Sequence, residues 1–287
     1  MLRICIKPTT FTLTPIQENQ NPYIDINKNV RNRKALKQHE HLVKAFDNVI
    51  VYTLPDTQES LPDIVFSANA GLCLPRLKEP TVLLPLMKYP QRKAELKYLR
   101  QIYADLPVKT IEFPGDASAP FEGQAELKWF HAGTKAVCGY GPRSTKKSFD
   151  IIDRLFKKIY GKHHLAAPQL LVIPLKSADY YHLDVAMLEF DDTKCIVHKR
   201  AFSAESIKKL KEFLGAENVF VIDTDDTFCL NAVVDGDTLV THALTKPLKK
   251  ELETITGRTI RMVDTSEFEK SGGSVRCMTL DISAATA

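Results

Sequence analysis

One pattern recurs five times along the chain and constrains its fold more than any other feature. Five short segments share an apolar approach, one polar residue and a short apolar strand: FSANAGLCL, EGQAELKWF, YHLDVAMLEF, FCLNAVVDGD and VRCMTLDIS. The polar positions are Asn69, Glu126, Asp184, Asn231 and Cys277, separated by 57, 58, 47 and 46 residues. Each interval holds about one helix and further strands. Such a period marks one supersecondary unit used repeatedly around an axis. Corresponding positions in that ring point toward a shared centre, whereas a chance alignment of short motifs would scatter them.

The segments between the repeats support this reading. Helical spacing of apolar residues predicts helices over 28–47, 91–104 and 145–160. A fourth helix starts at an N-cap, Ser203, with Ile207, Leu210 and Leu214 on one face. A fifth starts near Thr245, has Pro247 in its first turn and ends before Gly257. Runs rich in Val, Ile, Leu and Phe read as strands at 49–53, 81–86, 170–174, 194–198 and 219–223. Helices and strands alternate and no Pro/Gly/Ser linker divides the chain, so one α/β domain over residues 1–287 is expected.

Composition removes several function classes. The formal net charge is +4, and Lys and Arg are scattered over helix faces, which suits a solvated surface rather than a nucleic-acid patch. Cys5, Cys73, Cys138, Cys195, Cys229 and Cys277 include no CxxC pair, and His163 and His164 have no cysteine close by, so zinc-ligand spacing is absent. The opening MLRICIKPTTFTLTP holds no signal-peptide run, and no window approaches the roughly 18 apolar residues of a membrane span. The expectation is a cytoplasmic protein with reduced cysteines, without nucleic-acid or membrane partners.

The shared centre would bring together Cys277, Asp184, Glu126, Asn69 and Asn231, with Glu122 and His182 beside them. Strand alternation would place His182 and Asp184 on one face. A thiolate is a nucleophile, an imidazole moves protons near neutral pH, and buried carboxylates require a cation. A planar guanidinium with its fork of N–H donors meets that requirement. Each residue also has a plain structural role: a cysteine in an apolar strand as packing, a histidine as a hydrogen bonder, Asp184 as a turn residue. The flexible approach SGGSVRC argues for more at Cys277, because glycines let backbone come close to a ligand.

These residues resemble a known family. PDIVFSANAGL at 62–72, FEGQAEL at 121–127, YGPRS at 140–144, YHLD at 181–184 and SGGSVRCMTL at 271–280 are similar to the pentein guanidino-modifying superfamily. That group includes dimethylarginine dimethylaminohydrolases, arginine deiminases and dihydrolases, and glycine amidinotransferases. The resemblance runs from NPY at 21–23 to the end. It implies a five-bladed α/β propeller with pseudo-five-fold symmetry, with no metal and no organic cofactor. It implies Cys277 as nucleophile, His182 as general acid and base, and Glu122 pairing with the guanidinium and orienting that histidine. Asp184 would hold the guanidinium, and Asn69 would stand where many members carry an aspartate. Arg143 and the Lys88/Arg92 pair would anchor a substrate α-carboxylate, with Asn21 near the amino-acid end. Glu126 replaces the aspartate usual in FEGxxD.

The implied activity is hydrolysis of a C–N bond in a guanidino amino acid, dimethylarginine or arginine-like, through a covalent amidino-cysteine, and the implied partner is a small guanidino or ureido amino acid. The alternative is amidino transfer to an amine acceptor. The same propeller serves a ribosome anti-association factor that lacks this chemistry, but Cys277, His182 and Glu122 point to an enzyme. The substrate and any homo-oligomer are left open.

Overall fold

A computed structural model describes residues 2–55 and 59–282. β1 (Leu2–Ile6), α1 (Asn32–Val43) and β2 (Val49–Tyr52) open the chain. Next come β3 (Leu72–Leu74), β4 (Thr81–Leu84), α2 (Pro90–Ala94), α3 (Leu96–Ala104) and β5 (Lys109–Glu112). The following unit holds β6 (Leu127–Phe130), β7 (Lys135–Tyr140), α4 (Lys146–Lys162) and β8 (Gln169–Pro174). A single turn, α5 (Leu183–Ala186), leads into β9 (Met187–Glu189), β10 (Cys195–His198), α6 (Ala204–Leu214) and β11 (Val219–Ile222). The last part is β12 (Val233–Asp235), β13 (Thr238–Thr241), α7 (Lys246–Thr256), β14 (Thr259–Met262) and β15 (Leu280–Ile282).

These strands form five three-stranded sheets with one shared plan. A first strand pairs antiparallel with a second, and the second pairs parallel with a third. Parallel neighbours require a crossover, and one or two helices fill it in every unit. In four sheets the strands are consecutive. In the fifth, β15 pairs antiparallel with β1, Leu2 opposite Ile282 and Ile4 opposite Leu280, and β1 pairs parallel with β2. The two ends of the described chain therefore share one sheet. The five small sheets fit a five-fold pseudo-symmetric, propeller-like arrangement.

The helices α4, α6 and α7 each bury an apolar stripe against their own unit. Phe149, Ile152 and Phe156 of α4, for example, pack with Leu127 and Ala136. Leu210 and Leu214 of α6 pack with Val197 and Val219, and Leu248 and Leu252 of α7 pack with Leu239 and Ile260. Each such side chain contributes roughly 1.5–3 kcal/mol when fully buried. Helix ends follow the expected signals. The Ser203 hydroxyl accepts from the Ser206 N–H, and Gly257 takes the left-handed conformation after α7 at φ 66°. Two helices differ from expectation. The helix expected over 28–47 begins only at Asn32, because the Arg31 N–H is taken by the Glu267 carboxylate at 2.9 Å. The helix expected over 91–104 is broken at Glu95, whose buried carboxylate pairs with Arg92.

Near the C-terminal end of the sequence, His242 ties two loops together. Its Nε2 lies 3.1 Å from Asp226 Oδ1 and its Nδ1 3.3 Å from Glu269 Oε1. Burial opposes the charged ring, but the two carboxylates outweigh it and raise its pKa to about 9. Because the folded value exceeds the unfolded one, the stabilisation is complete below about pH 6.5 and is lost as pH rises through about 9. It amounts to roughly 2–3 kcal/mol at pH 7. His242→Gln should therefore lower stability to urea most at pH 6, with the gap closing by about pH 10. A gap independent of pH would show that the ring contributes packing alone. Among the described residues, no helix is long and apolar enough to cross a membrane.

Candidate active site

The five repeated polar residues occupy equivalent places just before the first strand of a sheet. Asn69 lies in the turn Ser67–Ala70 before β3, and Glu126 closes the turn Gly123–Ala125 before β6. Asp184 lies in α5 before β9, Asn231 precedes β12, and Cys277 lies in the turn Arg276–Met278 before β15. His182 and Asp184 are thus not on a strand. His182 is the extended N-cap of α5 and Asp184 is inside that turn, because the chain coils before it pairs. Their side chains serve different partners as a result.

Around Cys277 the contacts are polar. Asn231 grips the residue twice: its Oδ1 accepts the Cys277 N–H at 3.2 Å and its Nδ2 donates to Sγ at 3.1 Å. The thiol donates to Asp184 Oδ2 at 3.7 Å. Burial, and then the Asp184 charge, push the thiol pKa well up, so the resting residue is a neutral thiol. Asp184 is fully buried and its Oδ1 has no hydrogen-bond partner. Burial raises the Asp184 carboxyl, against the pull of His182, Lys128 and Arg276.

Glu122 organises the facing wall. Its Oε1 accepts the Lys88 backbone N–H at 3.0 Å. Its Oε2 accepts from His182 Nε2 at 2.9 Å and Arg143 Nη1 at 2.8 Å. Burial alone would raise this carboxyl, but Arg143, His182 and Arg92 hold it well below the usual range. Burial lowers the imidazole of His182 despite Glu122, so the ring rests neutral. The turn carrying Glu122 requires Gly123: its φ is +72°, and a Cβ there would stand 2.7 Å from the Gly71 carbonyl oxygen.

A small cavity opens between the two walls. Of the residues expected there, Cys277, His182, Asn69, Arg143, Arg92 and Asn21 line it. Glu122 and Asp184 stand behind its surface, fully buried. Lys88 does not line it: its ammonium is exposed and bonds the Pro142 carbonyl, and only its backbone reaches the site, through Glu122. Asn69 accepts from Arg92 Nη1 at 3.0 Å and donates to the Glu122 carbonyl at 3.1 Å. Asn21 donates to the Ser271 carbonyl at 3.1 Å. Arg143 lies under the rings of Tyr89 and Tyr181 and donates through Nε to the Gln20 carbonyl.

Sequence reasoning missed Gln20, Asp63, Phe66, Tyr181 and Ser271 as cavity residues. Asp63 Oδ1 accepts from Gln17 Nε2 at 2.7 Å and Ser271 Oγ at 3.0 Å, while its Oδ2 is buried without a partner. Its signal was the segment PDIVF itself, an acid amid apolar residues. The buried acids also differ from expectation, since Arg143 and Arg92 already supply cations to Glu122 and Glu95.

Residues 7–284 match the family model for N,N dimethylarginine dimethylhydrolase, eukaryotic. The chain is 26% identical over 266 residues to the bifunctional arginine dihydrolase/ornithine cyclodeaminase ArgZ of Synechocystis sp. (strain ATCC 27184 / PCC 6803 / Kazusa). That match covers 91% of this chain and 35% of the relative, so the chain spans about a third of that protein's length. It is 27% identical over 267 residues to N(G),N(G)-dimethylarginine dimethylaminohydrolase of Mycobacterium tuberculosis (strain ATCC 25618 / H37Rv), covering 91% of this chain and 80% of the relative. The fold is similar to the N-terminal domain of ArgZ solved covalently bound to a reaction intermediate, with a TM-score of 0.82, 22% identity, and 99% and 98% of the two chains covered. The chain belongs to the eukaryotic N,N-dimethylarginine dimethylhydrolase family, within the pentein guanidino-modifying superfamily.

Proposed function

We propose that this chain is a cysteine-dependent hydrolase that cleaves a C–N bond in the guanidinium of arginine or a methylated arginine. The observation that carries the reading is the Cys277 thiol, 3.7 Å from a buried Asp184 whose other oxygen lacks a partner, in a cavity also lined by His182. A guanidinium N–H fits that orphaned oxygen and neutralises Asp184. The charge that kept the proton on sulfur is then offset, and the thiolate forms on binding.

The thiolate adds to the guanidinium carbon while His182, carrying the proton released from sulfur, delivers it to the departing amine. The C–N bond breaks and an amidino-cysteine remains. Neutral His182 next takes a proton from water, whose oxygen adds to the same carbon and expels the thiolate. Glu122 keeps the ring oriented and stabilises its charged form. At the far end of the substrate, Arg92 and Arg143 supply positive charge for a carboxylate, and Asp63 offers an unpaired oxygen to an α-ammonium. The architecture we infer is a closed ring of five blades, one catalytic domain, with this cavity on its axis. The common turn-before-strand setting of the five polar residues supports it.

Incubating the protein with arginine, methylated arginines, citrulline and agmatine, each with an amine acceptor present or absent, tests the reading. We expect amine release and a ureido product without an acceptor. An amidino group found only on the acceptor would assign transfer instead, and no turnover of any guanidino acid would overturn the proposal.

A further inference from the structure

Behind His182 stands a second carboxyl that the proposed chemistry does not use. Glu126 is buried and does not line the cavity. Its Oε2 accepts the Glu122 N–H at 3.4 Å. Its Oε1 has no hydrogen-bond partner and lies 3.8 Å from His182 Nε2. The same ring nitrogen is 2.9 Å from Glu122 Oε2. One imidazole N–H thus faces two carboxyls, one bonded and one just out of reach. The Arg143 guanidinium is paired with Glu122, not with Glu126.

We propose that Glu126 is a positioning residue that works as a neutral carboxylic acid, leaving Glu122 the one anion on the His182 ring, and that loss of its proton sets the alkaline limit of turnover. Two carboxylates this close do not both ionise in a buried site. Glu122 holds the arginine, the histidine N–H and the Lys88 N–H, so it takes the charge. The other groups facing Glu126 do not reverse this. Cys138, on β7, is buried and neutral. Ser144, in the loop after β7, and the Glu122 N–H favour ionisation, as does Arg143 from beyond Glu122, but burial and the Glu122 charge outweigh them. Asp184, from the His182 turn, adds no positive charge. If Glu126 lost its proton, the imidazole would lie between two anions. Its charged form would be favoured, its ring drawn from Glu122, and its capacity to give its proton to the departing amine reduced.

The inference rests on His182 as the proton carrier, so the test has one arm that needs no turnover. The first readout is the pH profile of kcat for wild type, Glu126→Gln and Glu126→Asp. The amide keeps Glu126 neutral at every pH. We expect Glu126→Gln to retain kcat within about threefold at pH 7 and to move the alkaline limb up by about one pH unit or more. Glu126→Asp should keep an alkaline limb. The second readout is the midpoint of the His182 imidazole ¹⁵N titration in Cys277→Ser, alone and combined with Glu126→Gln. A neutral Glu126 predicts the same midpoint in both proteins. An ionised Glu126 would be revealed by a fall of about one unit or more on substitution, and would overturn the proposal. So would an alkaline limb unmoved in an active, folded Glu126→Gln. If the wild type turned over no guanidino acid, the titration would still decide the state of Glu126 while the functional reading fell separately.

Discussion

Cys277→Ser should abolish turnover while leaving the fold unchanged. The hydroxyl is nearly the size of the thiol and can keep the contacts to Asn231 and Asp184. It cannot form the anion that the thiol forms when a guanidinium binds, because its proton is held far more tightly. We expect kcat to fall by at least about a thousandfold. The midpoint of thermal unfolding should move by no more than a few degrees. The other five cysteines are buried, and their thiols lie outside the cavity lining, so serine there should not remove the chemistry. Activity in Cys277→Ser within about tenfold of wild type would exclude covalent catalysis by this residue.

The second large effect belongs to Arg143. The sequence suggests an anchor for a substrate carboxylate, and Arg143 does line the cavity. Yet its Nη1 is committed to Glu122 at 2.8 Å, and its guanidinium lies between the rings of Tyr89 and Tyr181. Removing it leaves Glu122, which is fully buried, without its nearest cation. Breaking a buried ion pair from one side costs about 3–5 kcal/mol. Arg143→Ala should therefore reduce kcat/KM by about a hundredfold or more even for agmatine, which lacks the carboxylate, and by more for arginine. Arg143→Lys should recover part of this, because it restores charge but not the fork. If agmatine were spared while arginine suffered, Arg143 would be a carboxylate anchor alone. Lys88→Ala, by contrast, should change little, since only its backbone meets Glu122.

The repeat was legible because it is written in chain order. Each polar residue precedes its own apolar strand, so a one-dimensional pattern carried a three-dimensional centre. The parallel edge strands were partly legible too, because Val49–Tyr52 and Val219–Ile222 are apolar runs. β1 escaped, since LRICI gains its meaning only by pairing with β15 at the other end of the chain. In the site, Glu122, His182 and Cys277 followed from motifs, whereas Asp63 did not. It reaches the cavity through Gln17 and Ser271, partners 46 and 208 residues away in sequence. No local pattern encodes such a meeting. Arg92 and Lys88 illustrate the converse. They are adjacent in pattern, but the start of α2 turns Arg92 inward to Asn69 and leaves the Lys88 ammonium outside. The YHLD segment is too short for periodicity to separate a strand from one helical turn, so alternation puts His182 and Asp184 on one face where the fold does not.

Carbon–nitrogen cleavage through sulfur leaves a covalent trace on Cys277. Its most direct measurement is mass spectrometry of the enzyme quenched in acid within one turnover of saturating arginine labelled with ¹³C in the guanidino carbon. The peptide carrying Cys277 should gain the mass of the amidino group with its labelled carbon, and Cys277→Ser should gain none. Turnover with Cys277 unlabelled, or with the label on another residue, would contradict it.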